Sequence, residues 1–162
     1  MKKRNVQSKI SKDVFFKKAQ SKTVKLVAKK FLSCNEKTGN KKKILDLHFE
    51  LCREWKVLVN LKVDERNYER MLVTGGSEFE PESFTIRLYL VSLVVYLHEF
   101  KHVLQFFYPE YRALVDPEED AFDWAFAVIK QGLPRYYELI KKNSFFARFI
   151  AERYRYEVDL ED

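Results

Sequence analysis

A chain of 162 residues with 46% hydrophobic content can build one domain with a real core plus an extension. No run approaches the ~18 apolar residues of a membrane helix, and the N-terminus has no apolar signal core, so a transmembrane segment and secretion are not expected and a cytoplasmic location is. Charge is unevenly spread: residues 1–43 hold 14 Lys and Arg4 against Asp13 and Glu36, a local +13, and since the whole chain is +6, residues 44–162 carry −7. A basic arm on an acidic body calls for an anionic partner, a polyanion such as nucleic acid or an acidic surface, for residues 1–43.

Met1 to Ser11 is Lys-rich with little to bury and reads as disordered. Ser11 to Leu32 reads as a basic amphipathic helix, with Phe16, Ala19, Val24, Val27, Ala28 and Phe31 near one face. A polar link over 35–43 leads to a helix from about Lys42 to Trp55, whose buried stripe is expected at Leu45, Phe49 and Cys52. The period then changes. Val57 to Val63 alternates and is rich in β-branched residues, which predicts a strand. Met71 to Thr74 reads as a second strand closed by Gly75-Gly76. Phe84 to Leu90 reads as a third, with Phe84, Ile86, Leu88 and Leu90 on one side. A helix spans Ser92 to Gln105, and an acidic helix runs from Pro117 to about Lys130. Gly132 and Pro134 break the chain before a final aromatic helix to about Tyr156, with Tyr137, Ile140, Phe146, Phe149, Ile150 and Tyr154 as core or docking residues. Cys34 and Cys52 fit no ligand spacing and are expected as free thiols in a reducing compartment.

The pattern predicts an α+β fold, with a small, mainly antiparallel sheet of about three strands packed on the helix of residues 92–105. Its divisions are a basic arm (1–43), a central domain (44–132) and a C-terminal helix packed on that domain (133–162).

The chemistry lies in His98-Glu99-Phe100-Lys101-His102. On a helix, positions i and i+4 stand one above the other, so both imidazoles can face one metal ion. Glu99 lies about 100° round the helix from His98, beside the metal but angled away from ligation, where it can take a proton from water. The flanking Val94, Val95, Leu97, Phe100, Val103 and Leu104 make the helix apolar nearly all round, hence buried. A buried helix carrying two His and a Glu needs partners for them, and a metal supplies them. His48 sits on a different helix and reads as structural.

Tetrahedral hydrolytic zinc sites use three protein ligands and leave the fourth position to water. No His follows His102, which argues against families whose third ligand is a downstream His, and a carboxylate is expected instead. The best segment is Asp116-Pro-Glu-Glu-Asp-Ala-Phe-Asp-Trp-Ala125. It begins as a helix does, with Asp116 as N-cap, Pro117 at the first helical position and acids in the first turn.

H-E-x-x-H followed by a helix bearing E-x-x-A resembles the gluzincin zinc metallopeptidases, and over residues 44–130 it is most similar to the minigluzincins and ImmA/IrrE-type proteins. Their second motif resembles E-x-x-A-[ND]-x-aromatic-A. Laid on this chain, it implies Glu118 as the zinc ligand, with Ala121, Trp124 and Ala125 matching and Phe122 departing from the pattern. A second register, E-x-x-x-D, implies Glu119 with Asp123 orienting a ligating His. The first matches more positions. Lys101 also departs from the group, whose residues between the motif Glu and the second His are usually uncharged, and its long stem is expected to snorkel to the surface.

The resemblance implies a small zincin-like domain and a Zn2+-dependent peptidase acting on a peptide or protein substrate. His98, His102 and Glu118 would be its metal ligands and Glu99 its general base. A regulatory variant of the ImmA kind would act on one protein partner. The alternative, which Lys101 and the basic arm favour, is a zincin-fold protein without turnover that serves in a nucleic-acid-associated or structural assembly. No Tyr among 108, 111, 136 and 137 is singled out to stabilise an oxyanion.

Overall fold

Described in the computed structural model are residues 2–31, 40–112 and 116–142, with side chains from residue 11 onward. They form a mixed α+β structure of α1 (Lys2–Phe31), α2 (Lys41–Trp55), β1 (Asn60–Val63), α3 (Tyr68–Thr74), β2 (Ser77–Glu80), β3 (Thr85–Leu88), α4 (Leu93–Phe107), α5 (Pro117–Gly132) and α6 (Pro134–Lys142). Short 3-10 turns lie at Pro81–Ser83 and Pro109–Tyr111. Among the described residues, no helix is long and apolar enough to cross a membrane.

Helix α4 is the centre of the molecule. Leu93, Val94, Tyr96, Leu97, Phe100, Val103 and Leu104 are buried all round it, as its composition requires. It packs on α5, β2 and β3. The sheet order is β1-β3-β2, with β3 in the middle. β1 runs parallel to β3, pairing Asn60 with Thr85 and Val63 with Leu88, and β2 runs antiparallel to it, pairing Ser77 with Leu88 and Glu80 with Thr85. The sheet is therefore mixed rather than mainly antiparallel. The chain reaches β3 from β1 through α3 and β2, and that crossover permits the parallel pair.

Two further expectations are corrected here. Met71–Thr74 is helix, not strand. Asn67 caps it by accepting the Arg70 N–H at 3.1 Å, and Gly75 ends it at φ +75°. Leu72 and Val73, whose bulk suggests a strand, are exposed. The second strand is Ser77–Glu80 instead, too short and polar to stand out. On α2 the buried stripe is Ile44, Leu47, His48, Leu51 and Trp55, while Leu45 and Phe49 face outward. Both sets have helical spacing, and the one that reaches α1 is the buried one.

Helix α1 runs back through residues 2–10, where the sequence predicts no structure; extending an anchored helix is far cheaper than nucleating one. Nor is it a detached arm. Phe16, Ala19, Val27 and Phe31 belong to the same core as Trp55, Phe100 and Trp124. Trp55 Nε1 donates to Thr23 Oγ1 at 2.9 Å inside that core. A Cβ on Gly132 would meet the Val24 carbonyl oxygen at 3.0 Å, so α1 and α5 approach backbone to backbone. This packing ties α1 to the domain that follows it. On α6, Ile140 is buried and Tyr137 packs against the core; Cys34, Phe146, Phe149, Ile150 and Tyr154 lie outside the described residues.

Candidate metal centre

Asp116 accepts the backbone N–H groups of Glu118 and Glu119, at 2.8 and 3.4 Å, and Pro117 occupies the first turn of α5, as its sequence anticipates. That start is set against α4 by Gln105, whose Nε2 donates to the Pro117 carbonyl at 2.9 Å and to Asp120 Oδ2 at 2.8 Å. Glu118 thereby reaches the two histidines of α4. His102 Nε2 lies 2.9 Å from Glu118 Oε1, His98 Nε2 lies 3.2 Å from Oε2, and the two Nε2 atoms are 3.0 Å apart. Among the described residues this trio is the one His/Cys/Asp/Glu group able to hold a metal ion. Glu119 is outside it and its side chain is exposed, as is that of Asp123. The geometry follows the register that selects Glu118.

The trio fits a cation better than protons alone. Gln105 uses its amide N–H groups on two acceptors, so its Oε1 faces His102 Nδ1, 2.8 Å away. That oxygen only accepts, so Nδ1 carries the proton and the neutral ring presents a lone pair at Nε2. The lone pair faces Glu118 and His98. If one Nε2 is protonated, the other still sets a lone pair against the carboxylate; if both are, two N–H groups oppose each other. A first-row ion bound tetrahedrally at about 2.0–2.1 Å separates its ligand atoms by about 3.3 Å, within a few tenths of an ångström of the spacing here. The hydrogen bonds and charges of His102 and His98 hold the Glu118 carboxyl far below the usual carboxylate range. Burial pulls the His102 pKa down, but its bond to Glu118 and the charges of Glu99 and Glu118 outweigh this and raise it.

Glu99 Oε1 lies 3.8 Å from His98 Nε2 and accepts a 2.7 Å hydrogen bond from Ser77 Oγ on β2. Burial raises its pKa, against the pull of His98 and of the Ser77 hydrogen bond. Phe122 stands where the resembling families carry Asn or Asp. Its ring lies against His98, centroids 3.8 Å apart, and His98 Nδ1 is buried with no hydrogen-bond partner among the described residues. On the Nδ1 side, packing against Phe122 rather than a hydrogen bond holds the His98 ring. The trio and Glu99 line a cleft of about 510 Å3 together with Phe79, Pro81 and Phe106.

Lys101 does not snorkel. It is 3% exposed; its Nζ donates to the Tyr111 carbonyl at 3.0 Å and lies 3.6 Å from Asp120 Oδ2. His48 is structural: its Nδ1 meets Tyr96 Oη at 3.0 Å and its Nε2 meets the Val59 carbonyl at 2.7 Å. Burial pushes the neighbouring Cys52 thiol up to about 11, so it stays protonated at neutral pH. Tyr108 Oη donates to the Trp55 carbonyl and Tyr111 Oη to Gln20, which leaves both turned away from the cleft. Sequence reading misses Ser77 and Gln105. Gln105 has a local signal, a polar residue at i+3 from His102 on a buried face; Ser77 has none, because only sheet pairing brings it to Glu99.

Comparison of the chain with protein-family models, curated proteins and solved structures finds no match.

Proposed function

We propose that the chain is a zinc-dependent peptidase that holds its metal with His98, His102 and Glu118 and uses Glu99 as general base. One observation carries the reading: two imidazole nitrogens and a carboxylate converge at the wall of a cleft, with a second, buried carboxylate beside them. Two nitrogens and one oxygen make a donor set suited to catalytic zinc, which would leave its fourth position to water. Zinc held by these residues would supply Lewis acidity toward a carbonyl and would lower the pKa of a bound water to about 7.

The chain's own residues do the rest. Ser77 holds Glu99 by donating to its Oε1, and the carboxylate would accept a proton from water and return it to the leaving amine. Burial brings the Glu99 pKa nearer neutrality, which suits a group that must do both. Strand β2 is the sheet's outer member on the cleft side and offers main-chain groups to an extended peptide, while Phe79 and Phe106 form an apolar wall for its side chains. Metal analysis of the purified chain tests the ligand set. Wild type is expected to hold zinc stoichiometrically and His98→Ala to lose it; zinc content untouched by His98→Ala would end the reading.

A second reading, a binding protein without turnover, is favoured by the exposed face of α1. Lys18, Lys22, Lys25 and Lys29 are all exposed and lie within about 60° of arc along one side of the helix. Such a stripe suits the phosphates of a nucleic acid, and the two activities can coexist in one chain.

A further inference from the structure

Lys101 poses a physical problem. An ammonium group taken out of water is costly unless it is paired and hydrogen-bonded. Here it lies inside the motif helix at 3% exposure, where an apolar residue would pack at no such cost. Its surroundings show what it does. The Tyr111 carbonyl accepts its hydrogen bond, and the Tyr111 and Trp124 rings lie 4.0 and 5.9 Å away. Asp120 faces it from α5, itself only 6% exposed. The same carboxylate oxygen, Asp120 Oδ2, accepts from Gln105, and Gln105 accepts from His102. A continuous polar chain therefore runs Lys101, Asp120, Gln105, His102 between α4 and α5.

Each link constrains the next. Asp120 and the Pro117 carbonyl both require the amide nitrogen of Gln105 on their side, because a flipped amide would set its oxygen against two acceptors. The amide oxygen is left to His102, which must then carry its proton on Nδ1. The chain also spans the two ligand-bearing helices: Lys101, Gln105 and His102 are on α4, while Asp120 is on α5 two residues after Glu118. It thus sets both the tautomer of one ligand and the register of another.

Building on the metal reading above, we propose that Lys101, Asp120 and Gln105 are positioning residues for the metal centre, holding His102 with its Nε2 lone pair toward the site and Glu118 opposite it. None touches the reacting atoms. Supporting groups of this kind are worth about 10–100-fold in metal affinity. Gln105→Leu keeps much of the volume and cuts the chain at its middle. Lys101→Met leaves Asp120 buried without its counter-charge. The double variant Lys101→Met/Asp120→Asn removes both charges yet keeps an amide oxygen for Gln105 to donate to.

The test uses the full chain. Zinc affinity is measured by chelator competition, melting of the metal-free protein is followed alongside, and the tautomer of His102 is read by nitrogen-15 NMR on metal-free protein at alkaline pH. Gln105→Leu is expected to weaken zinc binding by about 10–100-fold and to mix the His102 tautomers, with metal-free melting lowered only by the loss of the Gln105 donor to Pro117 and Asp120. Lys101→Met is expected to weaken zinc binding, and the double variant to recover most of the loss. Zinc affinity of Gln105→Leu within about twofold of wild type would overturn the proposal, as would a wild-type His102 protonated on Nε2. Should wild type bind no zinc, the metal reading falls, and the tautomer in wild type and Gln105→Leu still decides whether the chain positions His102.

Discussion

Truncation of Phe16 to alanine tests whether α1 is part of the domain or an appendage to it. The ring is 6% exposed and meets Phe15, Trp55, Tyr108 and Tyr111 at centroid distances of 5.6, 6.4, 5.4 and 4.8 Å. Removing a phenylalanine ring from such a place costs about 3–5 kcal/mol, the lost transfer energy plus the cavity left behind. For a chain of this size, each kcal/mol lowers the melting temperature by roughly 2–4 °C, so a fall of about 6–20 °C is expected. Val14, nearby on the solvent side and 61% exposed, supplies the control; Val14→Ala should stay within about 0.5 kcal/mol of wild type. Urea denaturation followed by far-ultraviolet circular dichroism, with melting as a second probe, measures both. If Phe16→Ala matches Val14→Ala, α1 is a separable arm and does not share the core of the domain.

The other expectations concern the site and the charged face. Glu118→Ala should lower zinc content sharply while Glu119→Ala leaves it near wild type, by metal analysis of the purified variants; the reverse would select the other register. In the metal-free protein Glu118 and His102 stabilise each other, and the signs of their shifts set the pH dependence. The depressed Glu118 contributes stability above the ordinary carboxylate range that is lost as pH falls below it. The raised His102 contributes below the ordinary imidazole range and loses that contribution as pH rises through its folded value. Melting curves across pH should therefore show a difference between wild type and Glu118→Gln that is largest at mildly acidic pH and shrinks on both sides; a constant difference would contradict the pairing. Reversing Lys18, Lys25 and Lys29 to Glu should weaken binding to a single-stranded oligonucleotide and flatten its salt dependence by roughly 0.7 in log–log slope for every phosphate no longer neutralised, with zinc content unchanged; a salt-independent interaction would rule out the phosphate reading.

The site is more legible in the sequence than the sheet, for a physical reason. His98, Glu99 and His102 are placed by helical spacing alone, and the helix is evident because its apolar residues surround it. Local rules narrow the third carboxylate to the first turn of α5, whose start Asp116 and Pro117 mark; it is the resemblance to the E-x-x-A pattern that selects Glu118 over Glu119. Lys101 defeats a local reading because its partners come from elsewhere, Asp120 across the helix pair and Tyr111 from the turn after α4. Ser77 cannot be found from its neighbours, since its role arises when β2 pairs with β3 under α4. At Met71–Thr74 the bulk of the side chains suggests a strand, while Asn67 and Gly75, a helix cap at each end, carry the better signal. On α2 two stripes of equal spacing compete, and distant partners, α1 along the helix and Tyr96 of α4 at His48, choose between them.

Glu99→Gln tests the central claim most directly, because it keeps the side chain's shape and its hydrogen bond to Ser77 while removing its basicity. Zinc content and hydrolysis of a peptide library are measured together on wild type and variant. Zinc is expected in both, and hydrolysis in wild type alone, with the variant slower by about 10²–10⁴-fold. Cleavage that survives unchanged in Glu99→Gln, or a wild-type chain that binds zinc and cleaves no member of the library, would contradict the assignment of Glu99 as the general base of a peptidase.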